Sequence, residues 1–248
     1  MRPRTEYERV KNLVASGLSD GGIARLTRIP RRTVSDWRRL ERRPANGSEC
    51  PVCTAVTLDE RAYSYLLGLY LGDGCIASYP RGVYRLRIKL DSKYPGIIAE
   101  CATAMTIVGG DRSVGLVRAR GCMEVGAYWK HWRCLFPQHG TGRKHSRAIR
   151  LTGWQRRIAT AEPGLLLRGF IHSDGCRFDN RVNGKAYPRY EFSNRSADTL
   201  DIFCNACDAF GVRWTQPSAI HISVARAPDV AKLDGIVGLK SSAGNLVF

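Results

Sequence analysis

The stretch Leu66-Leu67-Gly68-Leu69-Tyr70-Leu71-Gly72-Asp73-Gly74 decides how the rest of this 248-residue chain is read. It is an apolar run with glycines four apart, and it ends in a carboxylate followed by one more glycine. A relative recurs at Leu167-Arg168-Gly169-Phe170-Ile171-His172-Ser173-Asp174-Gly175. Gly68-x-x-x-Gly72 and Gly169-x-x-x-Ser173 each leave one helical face nearly free of side chains, so two such helices can approach at backbone distance. Gly74 and Gly175 are expected to end the helices in left-handed geometry. A crossing of these helices brings Asp73 and Asp174 to one seam. Carboxylates that close repel, and a divalent cation held by hard oxygen donors resolves the repulsion. The candidate metal positions are therefore Asp73 and Asp174, with Gly72 and Ser173 beside them. The same two aspartates are the candidate catalytic residues, since a metal bridging two acids can activate water against a phosphodiester.

Outward from the first motif, the pattern changes period. Tyr84-Arg85-Leu86-Arg87-Ile88-Lys89-Leu90 alternates as a half-buried strand does, with Arg85, Arg87 and Lys89 on the face away from the core. A helix from about Leu58 to Asp73 and a short strand at Cys75 to Ala77 precede it. A helix up to Gly110 follows, with Ile97, Ile98, Cys101, Ala104 and Met105 inward, and then strands at Val114 to Val117 and Glu124 to Tyr128. The second half repeats this order. A helix ends at Asp174-Gly175 and a strand covers Arg189 to Ser193. A helix spans Ala197 to Phe210, and two strands lie near Arg213 to Gln216 and Ile220 to Val224. The last of these turns Ile220, Ile222 and Val224 inward and His221 and Ser223 outward, and a last helix runs from Pro228 to Leu239. Residues 58–130 and 158–248 thus form two αββαββα halves, joined by a basic linker at 131–157 that contains no acidic residue.

Residues 1–43 read as three short helices. Tyr7, Val10, Leu13 and Val14 share one face, Ser19 can cap the second helix, and Ile23, Ala24 and Leu26 are expected inward. Ile-Ala-Arg-Leu-Thr-Arg-Ile-Pro-Arg-Arg-Thr-Val-Ser-Asp-Trp then leads into a third helix from about Arg31 to Arg42, with Val34 and Trp37 inward. This order resembles a helix-turn-helix DNA-binding domain, whose last helix enters the major groove. Arg31, Arg32, Ser35, Arg38 and Arg39 are its candidate DNA contacts. Residues 44–57 form a linker carrying Cys50-Pro51-Val52-Cys53. That spacing supplies two possible zinc ligands of the four a structural site needs, with His131, Cys134, His139 and His145 as other possible ligands. Free thiols in a plain linker are the alternative.

Bulk composition points the same way. Lys plus Arg is 39 against 22 for Asp plus Glu, a net charge of +17, and the excess is clustered. Such a chain binds polyanions with steep salt dependence. Arg143 and Lys144 in the basic linker, Lys130 before it and Arg189 in the second half join the candidate contacts to double-stranded DNA. No apolar run reaches the roughly 20 residues a membrane span requires, and no N-terminal segment reads as a signal, so the expected location is cytoplasmic.

The paired motifs resemble those of the LAGLIDADG homing endonucleases. Leu66, Gly68, Leu69, Asp73 and Gly74 match in the first motif, with Leu71 in place of the family's non-catalytic acid. Leu167, Gly169, Asp174 and Gly175 match in the second. The resemblance implies an α+β fold of two pseudo-symmetric halves, here preceded by the helix-turn-helix. It also implies Mg²⁺ (or Mn²⁺) at Asp73 and Asp174, cleavage of both strands of a long DNA site by a monomer, and a basic residue near the metal, for which Lys89 and Lys130 are candidates. An N-terminal helix-turn-helix also occurs in transcription regulators built on this scaffold, usually with the acids lost. A DNA-binding regulator is therefore the alternative, and an RNA-binding splicing factor a third reading.

Overall fold

The computed structural model describes residues 4–39, 50–54, 56–110 and 112–238. The chain divides into two compact units, residues 1–49 and 50–248, so the boundary falls inside the stretch read as a linker.

The first unit holds α1 (Arg4–Ala15), α2 (Asp20–Thr27) and α3 (Arg31–Arg39). Val10, Ile23, Ile29 and Val34 form its small core, with Leu13, Val14, Ala24 and Trp37 packed against it. Ser19 caps α2 by accepting from the Gly22 amide at 3.3 Å. Gly21 and Gly22 are poor helix formers, and this cap offsets part of their cost. Leu26 departs from expectation and is 56% exposed, because three short helices enclose only one narrow apolar stripe. The expected extension of α3 to Arg42 lies outside the described residues.

The second unit opens with α4 (Pro51–Thr54) and α5 (Glu60–Asp73), followed by β1 (Gly74–Tyr79), β2 (Val83–Asp91), α6 (Pro95–Gly109), β3 (Val114–Ala119), β4 (Cys122–Trp129) and α7 (Trp132–Leu135). After α8 (Gly153–Ala161), the order returns as α9 (Pro163–Ser173), β5 (Gly175–Val182), β6 (Lys185–Ser193), α10 (Ala197–Phe210), β7 (Thr215–Ser218), β8 (His221–Val224) and α11 (Ala227–Val237). The two sheets are antiparallel, with orders β1-β2-β4-β3 and β5-β6-β8-β7. Each half therefore repeats helix, two strands, helix, two strands, helix. The fold is α+β.

The buried face of the first sheet carries Leu86, Ile88, Leu90, Val125 and Ala127, and that of the second carries Tyr190, Phe192, Ile222 and Val224. One continuous core joins both halves through α5 and α9. Around β8 the expected alternation fails: Ser223 is 5% exposed, and Ile220, just before the strand, is 40% exposed. β8 lies between β6 and β7, which cover Ser223 from both sides, whereas Ile220 sits in the turn outside the ladder.

The basic stretch between the halves is folded rather than slack. Gln138 and Gln155 bond each other across the core, and Gln155 Nε2 donates to the Tyr63 hydroxyl at 2.7 Å. Buried amides are retained only when satisfied in this way. Trp132, Leu135 and Phe136 are fully buried.

Candidate active site

α5 and α9 cross at their glycines. A methyl group placed on Gly68 would lie 2.4 Å from the Leu166 carbonyl oxygen, and one on Gly169 would lie 2.2 Å from that of Tyr65. One on Gly72 would strike the Ser173 hydroxyl at 2.1 Å. At Gly68 and Gly169 the helices touch backbone to backbone, whereas at Gly72 the Ser173 side chain occupies the space. Gly74 and Gly175 serve a different purpose from the one expected. Gly74 is extended, at φ −83° and ψ 150°, and Gly175 is also absent from the positive-φ glycines. Each begins a strand that doubles back over its own helix, where a methyl group would meet the Cα of Tyr70 at 2.5 Å or that of Ile171 at 2.6 Å. Close approach, not left-handed backbone, requires glycine here.

This crossing carries both acids to the C-terminal ends of the two helices. Asp174 opens onto a cleft of about 640 Å³ that Gly72, Cys75, Arg143 and Lys144 also line. Its Oδ2 accepts from Asn194 Nδ2 at 2.8 Å and lies 3.3 Å from the place a Gly72 methyl would occupy. Asp73 opens onto a smaller cleft of about 260 Å³, shared with Tyr94, His172 and Ser173. Each acid therefore lies beside the last turn of the opposite helix. The Ser173 hydroxyl is turned into its own helix, donating to the Gly169 and Phe170 carbonyls at 3.0 Å.

Lys144 stands among several basic residues here, with Arg143 and Arg147 lining the Asp174 cleft and Lys93 the Asp73 cleft. The Lys144 ammonium donates to the carbonyls of Tyr70, Leu71 and Gly72 at 2.5–3.0 Å, capping α5 where the helix dipole is negative. Burial lowers its pKa to about 8, against the opposing pull of Asp174 and then Asp73. Sequence reasoning placed Lys144 among surface DNA contacts and offered Lys89 and Lys130 near the acids. Lys89 stands opposite Glu124 in the β2–β4 ladder, one residue beyond the Ile88 that pairs with Gly74, and Lys130 is exposed beside His131. Asn194, just past the end of β6, carried no local signal.

Solved structures share this architecture. I-DmoI in complex with DNA and Mn aligns at a TM-score of 0.50 with 17% identity, covering 73% of this chain and 98% of that one. A single-residue variant of I-DmoI, crystallised with its target DNA in the presence of Mg, aligns at 0.50 with 18% identity, covering 72% and 96%. The fold is that of the LAGLIDADG homing endonucleases. The N-terminal LAGLIDADG domain of DUF199/WhiA is a weaker match, at a TM-score of 0.47 and 13% identity. No protein-family model matches the chain, and no curated protein matches it.

On this LAGLIDADG fold the other candidate contacts are distributed unevenly. Arg85 and Arg87 both face Glu124, at 2.9 and 3.7 Å, and Arg85 lies over Gly126 with its guanidinium 5.3 Å from the Tyr128 ring. The row of cations is thus partly neutralised by one acid in the neighbouring strand. Arg189 lies over Phe178 on the second sheet. In the first unit Arg31, Arg32 and Arg39 are exposed and Ser35 is half-buried. Arg38 is committed internally: its guanidinium donates to Asp20 and to the Leu18 carbonyl, both at 2.6 Å, and so ties α3 to the turn before α2. Cys50 and Cys53 do not lie alone; His131 and Cys134 meet them. Among the described residues no helix is long and apolar enough to cross a membrane.

Proposed function

We propose that this chain is a site-specific endonuclease of double-stranded DNA, acting as a monomer that contains both halves of its catalytic centre. The observation that carries the reading is the crossing itself, which delivers one carboxylate from each half to the ends of two touching helices beside a partly buried lysine. The donors gathered there are two carboxylates and the carbonyls of two helix ends, Gly72 and Ser173. Hard oxygen donors of this kind, at the negative ends of two helix dipoles, suit Mg²⁺ or Mn²⁺. Asp73 and Asp174 would hold the ions, and bound metal supplies charge neutralisation and a more acidic water for phosphodiester hydrolysis.

The chain's own residues do the positioning. Asn194 fixes the Asp174 carboxylate by donating to it. Lys144, held by three carbonyls, keeps a positive charge at the acids and offers it to the scissile phosphate. Arg87, Lys89, Lys130, Arg143 and Arg189 supply phosphate contacts, and Arg85 adds to them from its ring and carboxylate neighbours. The first unit adds a helix-turn-helix contact through Arg31, Arg32, Ser35 and Arg39. Phosphate contacts position a protein on DNA, and base contacts select the sequence. The test is incubation of the purified chain and Mg²⁺ with a genomic or randomised DNA library. Site-specific double-strand cuts, absent from Asp73→Asn and Asp174→Asn, are expected; cutting that persists in both variants removes these acids from catalysis.

A second reading is a DNA-binding regulator on an inactive scaffold. Lys144 favours it, because an ammonium already seated beside both acids performs part of the neutralisation a metal would otherwise perform. That reading expects sequence-specific binding unchanged by chelator and by loss of both acids, with no cleavage.

A further inference from the structure

We propose that Cys50, Cys53, His131 and Cys134 form a structural zinc site that staples α4 to α7. Their four ligand atoms all lie within 4.8 Å of one another. Three separations are sharper: Cys53 Sγ to Cys134 Sγ is 3.5 Å, Cys53 Sγ to His131 Nδ1 is 3.7 Å, and Cys134 Sγ to His131 Nδ1 is 3.6 Å. A tetrahedral site with Zn–S of about 2.3 Å and Zn–N of about 2.0 Å has edges of roughly 3.5–3.8 Å. The observed edges match this figure. A Cys53–Cys134 disulfide would need the sulfurs at about 2.05 Å, and it would leave Cys50 and His131 with no reason to converge.

Local structure shapes the cluster from two short turns far apart in sequence. Cys50-Pro51-Val52-Cys53 folds as one helical turn, with the Cys53 and Thr54 amides donating to the Cys50 carbonyl at 3.0 and 2.8 Å. His131 stands at the N-terminus of α7, and the Cys134 amide donates to its carbonyl at 2.9 Å. Each turn thus presents two ligands three positions apart on one side. Burial and the neighbouring Arg112 and Lys130 push the His131 imidazole below its ordinary pKa, which keeps it neutral and able to coordinate. Burial and the adjacent Cys53 and Cys50 raise the Cys134 thiol to about 12, so this side chain disfavours thiolate. A zinc ion reverses that preference, because thiolate is the form that binds it. Three thiolates and one imidazole around Zn²⁺ carry one net negative charge, which Arg112 and Lys130 complement. The site is closed: four protein ligands leave no position for substrate, so its work is structural. It fastens the first turn of the second unit to α7, whose Trp132 and Leu135 are fully buried.

The test is metal analysis of the full-length chain purified without chelator. One zinc per chain is expected, falling by about tenfold in Cys53→Ser and Cys134→Ser but unchanged in Cys122→Ser and in the Asp73→Asn, Asp174→Asn double variant. Where a cysteine variant fails to fold, the parent decides: replacing zinc by Co²⁺ should give the visible and thiolate charge-transfer bands of a tetrahedral thiolate site. A chain that purifies without zinc and takes up Co²⁺ with no such bands overturns the proposal. So does equal metal loss in Cys122→Ser, or mass loss of two hydrogens from a disulfide within the cluster.

Discussion

α5 and α9 hold matched places in the two halves, yet their buried faces differ in kind. α5 is apolar along the crossing, with Leu66, Leu67, Leu69 and Leu71 all fully buried. α9 takes an arginine and a histidine into the same core: Arg168 is 5% exposed and His172 is 4% exposed. Arg168 forms a two-pronged pair with Glu100 of α6, at 2.6 and 2.7 Å, and donates to the Ile236 and Val237 carbonyls at the end of α11. His172 is held between the Tyr65 hydroxyl at 2.9 Å and the Val237 carbonyl at 3.1 Å. The small residues are what the two helices share, because backbone contact tolerates nothing larger. Away from that contact each helix is free to differ, and α9 uses the freedom to tie the first half to the last helix of the second.

The sheets diverge as well. In the shared register, Arg85, Arg87 and Lys89 of β2 correspond to Arg189, Glu191 and Ser193 of β6. The first half presents cations backed by Glu124, and the second a mixed row. The two halves are therefore expected to contribute unequally to affinity and equally to catalysis.

The largest effect should come from the acids. Asp73→Asn and Asp174→Asn each lower the cleavage rate by about a thousandfold or more, measured in single turnover with Mg²⁺. A large loss in one variant and little in the other would break the equivalence of the two halves at the active site. Next comes the polar pair peculiar to α9. Glu100→Ala leaves the Arg168 guanidinium buried without its carboxylate and costs about 3–5 kcal/mol in denaturant unfolding. Pairing Glu100→Leu with Arg168→Met should recover most of that loss; failure to recover would mean that the α11 carbonyls, not Glu100, set the cost.

The crossing predicts symmetry in stability. Gly68→Ala and Gly169→Ala each force backbone apart and cost about 3 kcal/mol or more, read as a fall in melting temperature. A fall for one and not the other would show that the crossing can slide toward one half. The smallest effect is at Glu124. Glu124→Gln frees Arg85 and Arg87 for phosphate, so DNA affinity rises about threefold and the salt dependence steepens. Arg189 has no acid at its side in the ion pairs described, so Glu191→Gln should change affinity less.

Much of this organisation is legible in the residues. α10 spans Ala197–Phe210 as its apolar spacing indicates, and β2 buries Leu86, Ile88 and Leu90 as its alternation does. Periodic burial is a local property, so it leaves a local record. Other features leave none. Arg168 and His172 read as ordinary polar positions on a helix, and only partners from α5, α6 and α11 make their burial tolerable. Leu26 reads as core and is exposed, since a unit of three short helices has too little interior to take it.

The chemistry divides along the same line. The chain's residues in order announce two acids, each placed after a helix free of side chains on one face, together with the cationic strand and a surplus of candidate thiol and imidazole ligands. These signals are contained within a turn or a strand. The packed molecule alone settles that Lys144 caps α5 within reach of both acids' charge, that Asn194 holds Asp174, and that His131 and Cys134 close on Cys50 and Cys53. Each of those meetings joins segments far apart in the chain, 78 positions in the case of Cys53 and His131. Spacing along a sequence carries no record of which distant turns come to face each other; the burial of a shared core decides that.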